Sequence, residues 1–254
     1  MRLLFIGDIF AAPGYQVTKA FLERYRDDYD GIIANGENVA AGRGINRRYF
    51  KGLLEMGVDM VTLGNHAWSS VDALELTNES LKLIRPLNFP AINPGLGHSH
   101  FYARTGEKVT VINAIGQVFM DGYNCPFDAL DNLLTTLPSQ ETILVDFHAE
   151  ATSEKKLMHH HLVGRVSAVI GTHTHVQTAD ETIKKGTAYI TDVGMTGVQD
   201  SAIGMDFTAV HQKFVHKYSA ERFKPAEGQA QLCAMSLEIN KAKAQHIERI
   251  QWAT

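Results

Sequence analysis

Seven residues of types that bind metals or transfer protons follow short apolar segments of the sequence. They are Asp8, Glu37, Asn65, His66, His148, His173 and His175. A single polar residue in such a position is commonly a turn former or a helix cap. Because seven of them recur at the ends of apolar segments, the pattern predicts that their carboxylate, amide and imidazole groups share one site.

The donor types indicate which ions such a site would hold. Carboxylate, amide oxygen and imidazole without thiolate suit iron, manganese or zinc, and they suit a structural zinc site or an iron–sulfur cluster poorly. His173 and His175 are two residues apart. Continued strand geometry would project both imidazoles from one face, with Thr172 and Thr174 turned away. Two divalent ions held together can bind a phosphate oxygen, generate the nucleophile and neutralise the charge that develops during in-line displacement.

The apolar segments alternate with stretches typical of helices. Strands are predicted at about 2–8, 31–34, 60–63, 109–113, 142–148, 168–175 and 189–192, and helices at about 17–25 and 153–162. This alternation predicts an α/β fold whose strands are buried on both faces and whose ligands bind beyond the carboxyl ends of the strands. The strand-like segments at 230–239 and 244–251 predict a hairpin at a sheet edge.

The composition is that of a globular protein. Of the 254 residues 44% are hydrophobic, and the formal net charge is only −4, which argues against a disordered chain and against a basic nucleic-acid surface. No stretch reaches the roughly 18 apolar residues of a membrane span, so we expect no membrane partner and a cytoplasmic location. Cys125 and Cys233 form neither a metal-binding pair nor a disulfide framework. No linker or repeat divides the chain, which predicts a single domain over 1–254.

Five short motifs together resemble those of the calcineurin-like metallophosphoesterases. They are Gly7-Asp8, Asn35-Gly36-Glu37-Asn38, Gly64-Asn65-His66, Phe147-His148 and Gly171-Thr172-His173-Thr174-His175, in the order in which that superfamily has them. Their extensions to Trp68, to Lys155 and to Asp180 resemble the bacterial YmdB-like branch, described as 2′,3′-cyclic-nucleotide phosphodiesterases. The resemblance covers residues 1 to about 204. It implies a four-layer α/β/β/α sandwich of two mixed sheets.

The resemblance also implies a role for each candidate residue. Two metal ions would bind, the first to Asp8, Glu37, His175 and Asn38, and the second to Glu37, Asn65, His148 and His173. Glu37 would bridge the ions, and His66 would act as the general acid that protonates the leaving oxygen. The chain departs from the wider superfamily at two positions: Phe10 replaces a usual histidine, and Glu37 replaces a usual aspartate.

The implied reaction opens a 2′,3′-cyclic nucleotide, or cleaves a related phosphodiester, with a metal-bridged hydroxide as nucleophile. A phosphomonoesterase or protein phosphatase on the same site is the nearest alternative, because a metal centre recognises the phosphoryl group more than what is attached to it. A regulatory protein that acts mainly through partner binding is a second alternative. The oligomeric state, including a homo-oligomer, stays open.

Several other features receive no role in the predicted site. The run His159-His160-His161 looks like a metal tract, but three consecutive helical residues point in different directions, which favours a solvated helix face. Arg43, between two glycines, either brings a cation to the phosphate or belongs to a plain flexible loop. Asp146 and Glu150 are candidates to orient the ligand histidines. The segment 192–197 is assigned no catalytic role.

Overall fold

The computed structural model describes residues 1–121, 123–138 and 140–253. The strands are β1 (Arg2–Ile6), β2 (Asp8–Ile9), β3 (Gly31–Asn35), β4 (Met60–Thr62), β5 (Leu83–Ile84), β6 (His98–Tyr102), β7 (Lys108–Ile115), β8 (Thr142–His148), β9 (Ala168–Thr172), β10 (Thr182–Lys184), β11 (Thr187–Ile190), β12 (Met195–Val198), β13 (Ala230–Asn240) and β14 (Lys243–Ala253). The helices are α1 (Ala11–Tyr25), α2 (Arg47–Glu55), α3 (Val71–Glu79), α4 (Pro126–Leu134), α5 (Thr152–Leu162) and α6 (Phe207–His216), with a 3-10 turn at Arg26–Asp28.

The strands form two mixed sheets. In the first, β1, β3, β4 and β5 are parallel neighbours, and β13 runs antiparallel to β1. The long β13 pairs along one edge with β14 and along the other with β12 and then β1. In the second sheet, the order is β10-β11-β9-β8-β7-β6. Its four central strands are parallel and its two edge strands are antiparallel.

Alternating side chains of β1 show how the layers are held together. Leu3 and Phe5 lie in a buried cluster that includes Val111 and Leu144 of the second sheet. Leu4 and Ile6 lie in a different cluster, which α1, α2 and α3 cover. A strand that is buried on both faces places successive side chains in opposite cores.

The second sheet is covered in the same way on its outer face, where side chains of α4 and α5 pack on β7 and β8. The four-layer α/β/β/α sandwich is therefore confirmed. None of the helices within the described ranges has the length and apolar character that a bilayer crossing needs.

The C-terminal hairpin forms as predicted, but its position was wrong in part. Only β14 lies at an edge, whereas β13 is an interior strand of the first sheet. The nearly continuous apolar run from Leu232 to Leu237 explains the difference, because a strand covered on both faces has no polar side.

Candidate metal centre

The predicted site residues meet where strands of both sheets end. Asp8 follows β1, Glu37 and Asn38 follow β3, Asn65 and His66 follow β4, His148 ends β8, and His173 and His175 follow β9. Parallel strands of one sheet end at a common edge. Here the edges of two sheets adjoin, so all eight side chains come together.

The Nε2 atom of His148 lies at the middle of one donor group. It is 3.1 Å from Glu37 Oε1, 2.9 Å from Asn65 Oδ1 and 3.0 Å from His173 Nδ1. Ligands with bonds of about 2.0–2.1 Å to one ion are themselves separated by roughly 3 Å. The other three donor atoms therefore each lie at about this spacing from His148 Nε2, as ligands of a single divalent ion would.

A second donor group also contacts Glu37 at its Oε1 atom. Asn38 Nδ2 is 3.1 Å from Glu37 Oε1 and 3.2 Å from His175 Nε2, and a half-turn of the amide would present its oxygen to the same point. Asp8 Oδ1 is 3.8 Å from His175 Nε2. Among the described residues this Asp8 oxygen is buried without a hydrogen-bond partner. Such an atom is costly unless a cation binds it, so the site fits a metal ion.

Carboxylates around His148 favour positive charge within the centre. Burial would lower the pKa of His148, but Glu37 and two neighbouring aspartates outweigh it and raise the pKa to about 9. Burial would raise the pKa of Glu37, yet His148 and a backbone hydrogen bond from His66 bring it to about 2. Burial, together with His148, lowers the pKa of His173 to about 3. The centre is thus arranged to hold a cation beside Glu37.

Asp146 lies behind His148 and connects the two sheets through hydrogen bonds. Its carboxylate accepts hydrogen bonds from Asn35 Nδ2 at 3.2 Å and Thr62 Oγ1 at 2.5 Å, both from the first sheet. It also accepts one from Thr172 Oγ1 at 2.7 Å, and that hydroxyl lies 2.9 Å from His148 Nδ1. Asp146 therefore orients His148 through Thr172, which fixes Nε2 toward the donor group. Burial raises the pKa of Asp146 to about 6.

Glu150 acts on the neighbouring histidine directly. Its Oε2 atom is 3.2 Å from His173 Nε2, so Nδ1 of that ring faces the centre. The backbone carbonyl of Ile203 has the same relation to His175, with Nδ1 donating to it at 2.9 Å. Each imidazole thus has one nitrogen engaged by the protein and the other directed at the site.

The two histidines after β9 reach the centre in an unexpected way. The strand ends at Thr172 rather than continuing to His175, and His173 and His175 have φ values of 102° and 65°. The prediction that strand geometry aligns them was wrong, and Thr172 faces the site rather than away from it. A left-handed backbone of this kind persists where surrounding contacts hold it.

Lys155 and Asp192 stabilise this backbone, although neither was predicted to have a role. Both are buried, and Lys155 Nζ donates to Asp192 Oδ2 at 2.7 Å and to the Thr172 carbonyl at 2.8 Å. Asp192 also accepts from the Thr174 backbone at 3.0 Å. The available signal was a lysine in the i, i+3, i+4 spacing of apolar residues that includes Met158.

A glycine in the third motif has a steric reason. A Cβ atom on Gly64 would lie 2.4 Å from Glu37 Oε2 and 2.4 Å from His148 Nε2. Only a residue without a side chain lets the β4 loop pass this close to the donor atoms.

The centre lies at the base of a cavity of about 310 Å³. His66 lines it, and its backbone nitrogen donates to Glu37 Oε2 at 3.1 Å. Burial lowers the pKa of His66. Arg43 is exposed on its loop and lines the same cavity. Phe10, Ile203 and Met205 also line this cavity.

The histidine run lies elsewhere, on α5. His159 is buried and stacks on Tyr189 with a centroid distance of 4.3 Å, and His161 pairs with Asp131. These positions agree with the prediction that the three histidines point in different directions. The prediction of a solvated helix face was wrong for His159, which is buried. Within the described ranges, the metal-type cluster with donor atoms inside 4.8 Å of one another consists of Glu37, His148 and His173.

Known proteins share the sequence and the fold of this chain. A family described as YmdB-like protein matches residues 4–250. A 2′,3′-cyclic-nucleotide 2′-phosphodiesterase of Bacillus subtilis is 41% identical over 98% of this chain and 96% of its own length. The structure of a hypothetical protein from Thermus thermophilus superposes with a TM-score of 0.95 at 44% identity, covering 100% of this chain and 99% of that one. A Mycoplasma pneumoniae structure described as a novel phosphatase has a TM-score of 0.93 at 33% identity, covering 100% and 93%.

We expect Gly64→Ala to lose bound metal, because the new methyl group displaces Glu37 and His148. Elemental analysis of the purified protein measures this. Gly106→Ala is the control: it adds strain at a φ of +85°, but its methyl meets no atom within 4 Å. The steric explanation fails if Gly64→Ala retains as much metal as Gly106→Ala.

We expect Lys155→Met to lower the free energy of unfolding by about 3–5 kcal/mol, because it leaves the buried Asp192 carboxylate unpaired. Denaturant unfolding followed by circular dichroism measures the change. The adjacent Lys156 pairs with Asp180 at the surface, so Lys156→Met should cost no more than about 1 kcal/mol. Equal losses in the two variants would contradict the supporting role of Lys155.

Proposed function

The chain belongs to the YmdB-like family, and on that basis we propose that it hydrolyses 2′,3′-cyclic nucleotides or related phosphodiesters at a centre of two metal ions. The observation that supports this most is the pair of donor groups that share Glu37. A single ion needs only one of these donor groups. The Asp8 oxygen that lacks a hydrogen-bond partner belongs to the second group.

The residues divide between the ions as follows. Asn65, His148 and His173 would hold one ion, and Asp8, Asn38 and His175 the other, with Glu37 between them. Carboxylate, amide and imidazole donors favour iron, manganese or zinc. In the wider superfamily a histidine would complete the set that contains Asp8 and His175. Phe10 stands at that position here and lies edge-on to the His175 ring at a centroid distance of 5.6 Å. Phe10 therefore positions a ligand instead of being one.

Divalent ions bound here supply a strong nucleophile at neutral pH and stabilise the negative charge that develops on the phosphoryl group. The side chains of the protein perform the remaining tasks. Arg43 lies where its guanidinium can bind a phosphate oxygen at the cavity mouth. His66 is fixed through its backbone to Glu37, and we assign to its ring the donation of a proton to the leaving oxygen.

A phosphomonoesterase is the alternative that a specific finding favours, since the similar Mycoplasma pneumoniae structure is described as a phosphatase. Relative hydrolysis rates of cyclic nucleotides, linear diesters and monoesters by the metal-loaded protein distinguish the two. Faster hydrolysis of monoesters than of every diester would favour the alternative.

Protein purified without chelator should contain close to two transition-metal equivalents per chain, and Glu37→Gln should reduce both. A neutral amide cannot offset the charge of two cations. The matched control is Glu55→Gln, since Glu55 is exposed at the end of α2 and does not line the cavity; this variant should retain both ions. Loss of a single equivalent from Glu37→Gln would show that Glu37 does not bridge.

His66→Ala should keep the metal content and lower turnover of a 2′,3′-cyclic nucleotide by roughly 10²–10⁴, the usual loss for an acid-base group. With a nitrophenyl phosphodiester the loss should be smaller, because that leaving group needs no protonation. An equal loss on both substrates would indicate that His66 positions the phosphate. Loss of metal would indicate that it is a ligand.

A further inference from the structure

We propose that Phe10, Ile203 and Met205 form an apolar base wall that binds the nucleobase of the substrate, while Arg43 and the metal centre bind its phosphate. This inference rests on the proposed function and names the part of the protein that selects nucleotides among phosphodiesters. The three side chains line the same cavity as Glu37, His66 and His175.

The conformation of Ile203 is the first observation. Its φ is 49°, and a β-branched residue in the left-handed region is a genuine outlier. Its side chain is 56% exposed, although it borders a cavity. Both features are unfavourable for folding, and strain of this kind clusters where a ligand is bound.

Three hydrogen bonds hold the left-handed backbone of Ile203 and its neighbours. The Ile203 nitrogen donates to the Ser201 carbonyl at 3.0 Å, and the Gly204 nitrogen donates to Ser201 Oγ at 2.8 Å. The Ile203 carbonyl accepts from His175 Nδ1 at 2.9 Å. The backbone of Ile203 is therefore fixed in relation to a candidate metal ligand.

The ring of Phe10 forms the rigid back of the base wall. A Cβ atom on Gly204 or on Gly42 would lie only 2.6 Å or 2.7 Å from the ring, so backbone closes over it from two loops. Met205 packs against the buried cluster of Phe10, Ala11 and Met195. The wall is thus preformed.

The position of the base wall fits a nucleotide. The cavity of about 310 Å³ is at the small end of the usual range for small-molecule sites. Its lining residues divide into charged and metal-binding groups, such as Glu37, Arg43 and His175, and the apolar side chains of Phe10, Ile203 and Met205. A nucleotide has the same division between a charged phosphate and a base whose faces are apolar, and contact with the wall removes one such face from water.

The test compares adenosine 2′,3′-cyclic phosphate with methyl riboside 2′,3′-cyclic phosphate, which lacks a base. The wild-type metal-loaded protein should have the higher kcat/KM with the nucleotide. Ile203→Asn should reduce that preference roughly ten-fold, the effect of losing a small apolar contact. Asparagine tolerates a left-handed backbone, so the Tm should stay equal or rise. Ile92→Asn is the matched control, since Ile92 is 93% exposed and does not line the cavity, and it should leave the preference unchanged.

Equal kcat/KM values for the two substrates, or an unaltered preference in Ile203→Asn, would overturn the base wall and leave the proposed function intact. Hydrolysis of neither substrate would overturn the proposed function instead. In that case, calorimetric binding of adenosine 3′-phosphate and ribose 5-phosphate tests the wall independently. A tighter Kd for the nucleotide, weakened in Ile203→Asn, supports it, and equal Kd values contradict it.

Discussion

The buried carboxylate of Asp146 is the contact on which the rest of the centre depends. It lies between the two sheets, and it accepts hydrogen bonds from both of them. A buried acid of this kind is tolerated because its oxygens are satisfied. Through Thr172 it also sets the ring of His148. The same carboxylate therefore determines both how the two sheets align and how the His148 imidazole is oriented.

The composition of the site could be predicted from the sequence, because it depends on local order along the chain. Polar residues such as Asp8 and His148 come where buried strands end, and parallel strands bring their carboxyl ends together. The same reasoning predicts the α/β class. The four layers followed from a family resemblance, since strand order depends on pairing between segments that are distant in sequence.

The parts that could not be predicted are those set by tertiary contacts. Nothing local marks the left-handed φ of His173, which depends on a loop held by Lys155 and Asp192. The interior position of β13 likewise follows from its pairing with β1. At Ile203 the local preference of a β-branched residue is overruled, and such conflicts between local and global structure concentrate at functional sites.

The pairing of β1 with β13 has a consequence for the order of events during synthesis. Ile6 lies beside Ala234, so β1 gains this neighbour only after all the strands from β2 to β12 have been made. Until then that edge of β1 is open, and an open edge invites pairing with other chains. Asp8 begins β2, and only Gly7 separates it from the end of β1. The candidate metal centre therefore borders a strand edge that stays unpaired during synthesis until β13 has been made.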